Sequence, residues 1–306
     1  MTAVTDTVAG GAIFPVKEAF IDIITLKSDM QARANSLRCQ GKTIALAPTM
    51  GFLHAGHLSL MRLARGMADI LVVSIFVNPT QFGPGEDLAA YPRDFERDRD
   101  MCSGEGVDIL FYPDAENIYG PGFQTFVTLE KLPVYLCGAS RPVHFRGVAT
   151  IVTKLFNIVK PHVAVFGQKD YQQLTIIRQM VQDMDMDIRI VGAPIVREAD
   201  GLAMSSRNAY LNASQRPAAL SLSRSLQEAQ TLLTGGQTST AALVASASRL
   251  IQSFPETEID YVTICDSNTL ENIATVTLPA LMALAVKVGK TRLIDNTLLM
   301  PPSAAS

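Results

Sequence analysis

The stretch Pro48-Thr49-Met50-Gly51-Phe52-Leu53-His54-Ala55-Gly56-His57-Leu58-Ser59-Leu60 constrains this chain more than any other. An apolar run, Thr43-Ile44-Ala45-Leu46-Ala47, leads into it between Gly41 and Pro48, the pattern of a buried central strand. Behind it, Leu58, Leu60, Met61, Leu63 and Ala64 recur at helical spacing. The paired histidines therefore fall in a strand-to-helix loop, with Gly51 and Gly56 on either side. Glycine lets backbone approach a ligand, and a helix start aims free N–H groups at anions. In an open α/β sheet, nucleotide phosphates bind in such loops.

Three readings of the histidine pair compete. It is a capping and packing pair, or half of a zinc site, or a nucleotidyl-transfer site in which imidazoles meet phosphate oxygens as charge builds on them. Zinc lacks a third protein ligand here, and no cysteine lies nearby. His-x-Gly-His between a strand and a helix resembles the signature of the nucleotidyltransferase superfamily, which includes class I aminoacyl-tRNA synthetases. The rest of the chain decides among the three.

Residues 1–18 read as a loose extension. A helix is expected over 28–40 with Ser28 as its N-cap. Further strands are expected at 69–77, 107–111, 162–166 and 188–191, with helices at 148–159 and 171–184. The Asp/Glu/Arg run at 93–100 reads as the solvated face of a helix, and the alternating residues 124–129 as an edge element. Alternating strands and helices argue for an α/β fold, a Rossmann-like doubly wound parallel sheet, over 1–195. Texture changes near Val196: a polar loop over 197–208, helices rich in Ala, Ser and Leu over 214–253, then a strand pair at 258–265 and 281–294. That reads as a second, smaller α+β C-terminal domain, 196–306.

With 306 residues, 48% of them hydrophobic, the chain can bury a core of that size. A net charge of −3 gives no reason to expect nucleic acid as a partner, although a local basic cluster still suffices for an anionic substrate. Cys39, Cys102, Cys137 and Cys265 are scattered, as reduced thiols in a cytoplasmic protein would be. The first sixteen residues carry no Lys or Arg, and the apolar run at 278–286 stops at Lys287, so neither a targeting peptide nor a membrane span is expected.

Ligands of a parallel sheet gather at the carboxyl ends of its strands. The first expected strand delivers His54 and His57 there, the second Asn78 and Gln81, the fourth Lys169 and Asp170 just after Gly167. Any one of these has an ordinary explanation as a turn former; three such clusters together do not. Met204-Ser205-Ser206-Arg207-Asn208 adds hydroxyls and a guanidinium, in a segment resembling the second phosphate-gripping signature of class I synthetases.

Six ordered motifs identify a narrower likeness. They are the stretch at 48–57, Phe76-Val77-Asn78-Pro79-Thr80-Gln81-Phe82, His144-Phe145-x-Gly147-Val148, Phe166-Gly167-x-Lys169-Asp170-Tyr171-Gln172-Gln173, the stretch at 197–208, and Gly289-Lys290-Thr291-Arg292-Leu293-Ile294-Asp295-Asn296. Together they resemble the pantoate–β-alanine ligases over about residues 20–298. The resemblance implies an ATP-dependent ligase that joins pantoate to β-alanine through pantoyl adenylate, releasing AMP and pyrophosphate, with Mg²⁺ on the ATP and a homodimeric assembly. It implies phosphate contacts for His54, His57, Lys169, Ser205, Ser206 and Arg207, with His57 donating a proton to the leaving group. It places ATP along Met50, Gly51, Phe52, Leu53, Ala55 and Gly56, along Gly167, Gln168 and Asp170, and along Val196 and Met204. Gln81, Gln173, Thr49, Met50, Phe76 and Asn78 are implied for pantoate, with Arg141 and His144 at the second substrate or the rim. His162 is left as a structural histidine. Phe52, Val143, Gly85 and Gly120 depart from the usual pattern. A nucleotidyltransferase that stops at nucleotide transfer would lack the Asn78, Gln81 and Gln173 group, and a regulatory module would have eroded His54, His57, Lys169 or Arg207; all are present.

Overall fold

The computed structural model describes residues 21–302; the extension expected over 1–18 lies outside them. Six parallel strands form the first sheet: β1 (Asp22–Ile24), β2 (Ile44–Thr49), β3 (Ile70–Ile75), β4 (Ile109–Phe111), β5 (Val163–Gly167) and β6 (Arg189–Ala193), in the order β1-β4-β3-β2-β5-β6. Side chains alternate across these strands into two cores. Ile44, Leu46, Val72, Ala164 and Phe166 face α1 (Lys27–Cys39), α6 (His144–Val159) and α7 (Tyr171–Asp183). Ala45, Ala47, Val73, Val163 and Val165 face α2 (Ala55–Arg65) and α3 (Phe95–Gly104). Helices on both faces make the sheet doubly wound, as the alternation of the sequence implies. Two short helices, α4 (Ala115–Tyr119) and α5 (Leu136–Ser140), lie in the connections.

The chain order reverses between β2 and β5, the switch point at which such sheets open. These strands pair only at Ala45–Val163 and Leu46–Ala164, although they run on to Thr49 and Gly167. Proline explains the early stop. The Ile44 N–H and C=O both face the β5 side, bonding to His162 Nδ1 and to the His162 N–H. Alternate residues share that side, so Pro48 turns toward β5 the one position that has no N–H to give.

Residues beyond β6 build an antiparallel sheet, β7 (Thr257–Asp266), β8 (Ala280–Val288) and β9 (Thr291–Leu299), backed by α8 (Arg216–Thr234) and α9 (Thr240–Gln252). Met282, Leu284 and Val286 pack on those helices, while Leu281 and Ala283 join the core shared with α6 and α7. Both faces of the small sheet are thus occupied.

Four expectations are corrected. The closing strand pair is three strands, because Gly289 (φ +59°) turns the chain back between β8 and β9. Ser28 is not an N-cap: α1 starts one residue earlier, at Lys27, and the Ser28 hydroxyl bonds Asp29. Residues 124–129 join no sheet; the Val127 N–H goes to Thr150 Oγ1, and the edge position belongs to β1. The charge run holds one residue that is not solvated at all, Asp98.

Candidate active site

A cavity of about 280 Å³ opens where β2 and β5 diverge. β2 and its loop bring Thr49, Met50, His54, Gly56 and His57 to its wall. The turn after β3 brings Phe76, Asn78 and Gln81; the turn after β5 brings Gly167, Lys169 and Asp170, with Gln173 from α7. The segment beyond β6 adds Val196, Met204, Ser205, Ser206 and Arg207, and Arg141 and His144 also lie on the wall. Gly51, Phe52, Leu53, Ala55 and Gln168 do not line it; Leu53 is buried among the core residues under α2.

The histidines start α2 rather than preceding it. His54 is the N-cap and accepts the Gly56 N–H at Nδ1 (3.2 Å). His57, in the first turn, accepts the His54 N–H at its own Nδ1 (3.3 Å), and the ring centroids lie 4.1 Å apart. The capping reading is therefore correct as geometry, yet it leaves both rings on the cavity wall. A ring whose Nδ1 accepts carries its proton on Nε2 when neutral. Burial, then the nearby Lys169, lowers His54 to about 4; burial, then His54 and Lys169, hold His57 well below the ordinary value. Both imidazoles are neutral near pH 7.

The glycine-bearing loop before them is held from α3. Asp98 accepts the N–H groups of Phe52 (2.6 Å) and Leu53 (2.7 Å), while the Arg97 guanidinium donates to the Leu53 carbonyl (2.8 Å). Gly51 sits at φ +84°, where a Cβ would come within 3.0 Å of Asp98 Oδ2 and of Ile75. Its amide goes to Thr49 Oγ1. The amides of 51–53, in the stretch that the resemblance implies for ATP, are thus already bonded within the protein.

The opposite wall is a chain of side-chain hydrogen bonds. Tyr119 donates to Asn78 Oδ1 (2.5 Å), the Asn78 amide donates to Gln81 Oε1 (3.1 Å) and to the Gly147 carbonyl, and Gln81 Nε2 reaches Met50 Sδ. Only glycine fits at 147, since a Cβ would lie 2.3 Å from the Thr80 carbonyl. Asn78 therefore orients Gln81. His144 Nδ1 bonds the Gln81 carbonyl (2.9 Å), and burial lowers its pKa to about 4.

The loop after Gln81 adds groups the sequence did not announce. Glu86 takes Arg141 in a two-pronged pair (Nε–Oε1 2.8 Å), and Asp87 takes Arg207 likewise (3.0 and 2.9 Å). Burial works against the Arg207 charge, but Asp87, together with Tyr91 and Asp170, more than offsets it. Tyr91, Cys137, Tyr261, Arg292 and Asn296 also line the cavity. Arg292 and Asn296 stand in a motif that the sequence offered, but with no chemistry attached to it. His162 accepts the Ile44 N–H and lies away from the cavity wall, a structural histidine.

The likeness to known proteins agrees with this architecture. The family model described as pantoate-beta-alanine ligase matches residues 22–298. Pantothenate synthetase of Desulfatibacillum aliphaticivorans is 59% identical over 92% of this chain and 100% of its own length. The crystal structure of pantothenate synthetase from Thermus thermophilus matches with a TM-score of 0.87 at 40% identity, over 92% of this chain and 100% of that one. The pantoate-beta-alanine ligase of Francisella tularensis, complexed with beta-gamma ATP and beta-alanine, matches with a TM-score of 0.74 at 32% identity, over 91% and 97%.

Proposed function

The chain belongs to the pantoate–β-alanine ligase family, and from that premise we propose how its cavity serves the ATP-dependent condensation of pantoate with β-alanine. The pantoate carboxylate attacks the α-phosphorus of ATP, the bond to the β-phosphate oxygen breaks, and pyrophosphate leaves. The amine of β-alanine then attacks the carbonyl of pantoyl adenylate, loses a proton, and expels AMP. The observation that carries this reading is the paired imidazoles and Lys169 on the walls of one cavity at the β2/β5 switch.

In this reading His54 and His57 point Nε2–H groups at the phosphoryl oxygens. In its neutral form His57 donates a hydrogen bond from Nε2, and the triphosphate's negative charge favours the imidazolium that the implied proton donation to the leaving group needs. Fixed donors aimed at oxygens gaining charge are worth roughly 10²–10³ in rate each. Lys169, Ser205, Ser206 and Arg207 hold the triphosphate, with Asp170, Val196 and Met204 beside the nucleoside. Gln81, set by Asn78, and Gln173 bind pantoate polar groups, while Met50, Phe76 and the Thr49 methyl meet its apolar part. The unit beyond residue 195 closes over the nucleotide.

Mg²⁺ enters as part of the substrate, on ATP oxygens, where it neutralises phosphate charge. Among the described residues no cluster of three His, Cys, Asp or Glu side chains offers it a protein cage. A cytoplasmic setting suits an enzyme using ATP with its four cysteines unpaired and no described helix long and apolar enough to cross a membrane. The homodimer is carried from the family resemblance.

A product assay tests the reading. ATP, pantoate and β-alanine should give pantothenate, AMP and pyrophosphate in equal amounts, and pyrophosphate should also appear in a single turnover without β-alanine. Release of ADP and orthophosphate would overturn it.

A further inference from the structure

We propose that Asp295 and Asn296, consecutive residues of β9, are positioning residues that set the spacing between the two cation-bearing segments of the cavity. The inference rests on the reading above, in which Lys169 on one segment and Ser205, Ser206 and Arg207 on the other hold the triphosphate.

Both residues sit mid-strand, opposite Leu284 and Ala283 of β8, so their backbone is fixed by the ladder. Both are buried, Asp295 at 3% and Asn296 at 6% exposure. Consecutive strand residues point to opposite faces. On one face Asn296 Nδ2 donates to the carbonyls of Gln168 (3.1 Å) and Lys169 (2.8 Å), in the single turn that follows β5. On the other, Asp295 takes Arg197 through two bonds, at 2.7 and 3.0 Å. Arg197 also donates to the Gly201 carbonyl and bridges to Ala203, and Met204 N–H returns to the Val196 carbonyl. Asp295 therefore grips the base of the hairpin 197–203, the end from which Met204 leads directly into Ser205-Ser206-Arg207. One strand stands between the two segments and holds each by a side chain.

Burial energetics support a purpose beyond packing. Apolar residues would satisfy both faces of a covered strand, whereas a buried carboxylate and amide cost free energy unless fully bonded. Each of these has its partners on a segment that carries a charged cavity group. The consequence is that β9 sets the spacing between the backbone of the Lys169 turn and the base of the segment leading to Arg207, whose guanidinium Asp87 then holds.

The experiment compares Asn296→Ala, Asn296→Asp and Leu299→Ala with the unaltered protein in single turnover. Leu299 is a fully buried residue of the same strand that does not line the cavity, and its truncation controls for lost stability. Displacing Lys169 by an ångström should slow adenylate formation about 10- to 100-fold in both Asn296 variants. Transfer from chemically supplied pantoyl adenylate to β-alanine should stay within about twofold, since the triphosphate is gone by then. Asn296→Asp carries a further signature. Charged groups around it are Lys169 and Asp170 on the β5 turn, Asp295 with Arg197, and Arg292 on its own strand. Its carboxylate, buried against two carbonyls, is pushed above the ordinary value, and only the protonated acid can donate to one of them, so its rate relative to the unaltered protein should rise as pH falls.

Adenylate formation unchanged in both variants overturns the inference. So does an equal loss in both half-reactions, or a loss matched by Leu299→Ala at equal stability. Failure of the unaltered protein to release pyrophosphate from ATP and pantoate would instead sink the functional reading beneath it.

Discussion

The two halves of the cavity are secured in different ways. The histidine half is assembled from near neighbours: His54 and His57 cap each other across three residues, and Asp98 reaches the preceding loop from the next helix of the same sheet. The cation half depends on partners about a hundred positions away, with Arg197 held by Asp295 and the Lys169 turn held by Asn296. The first half exists once β2, α2 and α3 have formed. The second exists only when the small antiparallel sheet has docked. A difference of that kind should appear in how each half fails.

The largest effects should come from removing a phosphate-facing group, and they should not distinguish the halves. His57→Ala and Lys169→Ala should each slow adenylate formation by roughly 10²–10³, read as single-turnover pyrophosphate release; a loss below tenfold would take that side chain out of the proposed chemistry. Removing the supports should separate them. Asp98→Ala leaves two buried amides without an acceptor, each worth about 1–3 kcal/mol, and should lower the urea midpoint of the whole molecule. Asp295→Ala should instead raise hydrogen exchange over 197–208 while α2 stays protected. Equal exchange in both regions would erase the distinction drawn here.

A subtler difference lies in pH. Both imidazoles are held below the ordinary histidine value, so unfolding takes up protons. Their contribution is intact above about pH 6.5 and is lost as pH falls toward about 4, where His54 itself titrates. Each contributes a slope of about 1.4 kcal/mol per pH unit inside that window. His54→Asn keeps an N-cap acceptor and removes one titrating group, so stability against pH should flatten by about one proton; an unchanged slope would mean that His54 is not held neutral. The smallest effect expected is that of Gly51→Ala, about 1–2 kcal/mol from the left-handed backbone and the tight approach of Asp98 and Ile75.

The same division decided what could be read from residue order. Central strands were legible because both of their faces are buried, which leaves unbroken apolar runs at 44–47 and 70–73. The histidine loop was legible because its chemistry is contiguous. Asp98 was not, since an acid among Arg and Glu at helical spacing looks solvated until a loop is laid over it. Asp295 and Asn296 stood inside an identified motif, but their partners are 98 and 127–128 residues away, and spacing carries no record of that. β1 has only three residues and an exposed face, too little to show a period. Residues 124–129 have the period of a strand and no described neighbour to pair with.

Pro48 gives the fold a seam that cannot be sewn shut. Two parallel strands of nearly matched length would ordinarily zip together toward their ends. A ring in place of one amide hydrogen, two residues past Leu46, keeps the zipper from running beyond Leu46 and leaves a gap at the strand tips. The room for a substrate therefore precedes the choice of any reactive group. Histidines, lysine and arginine furnish an opening that the backbone of β2 had already made.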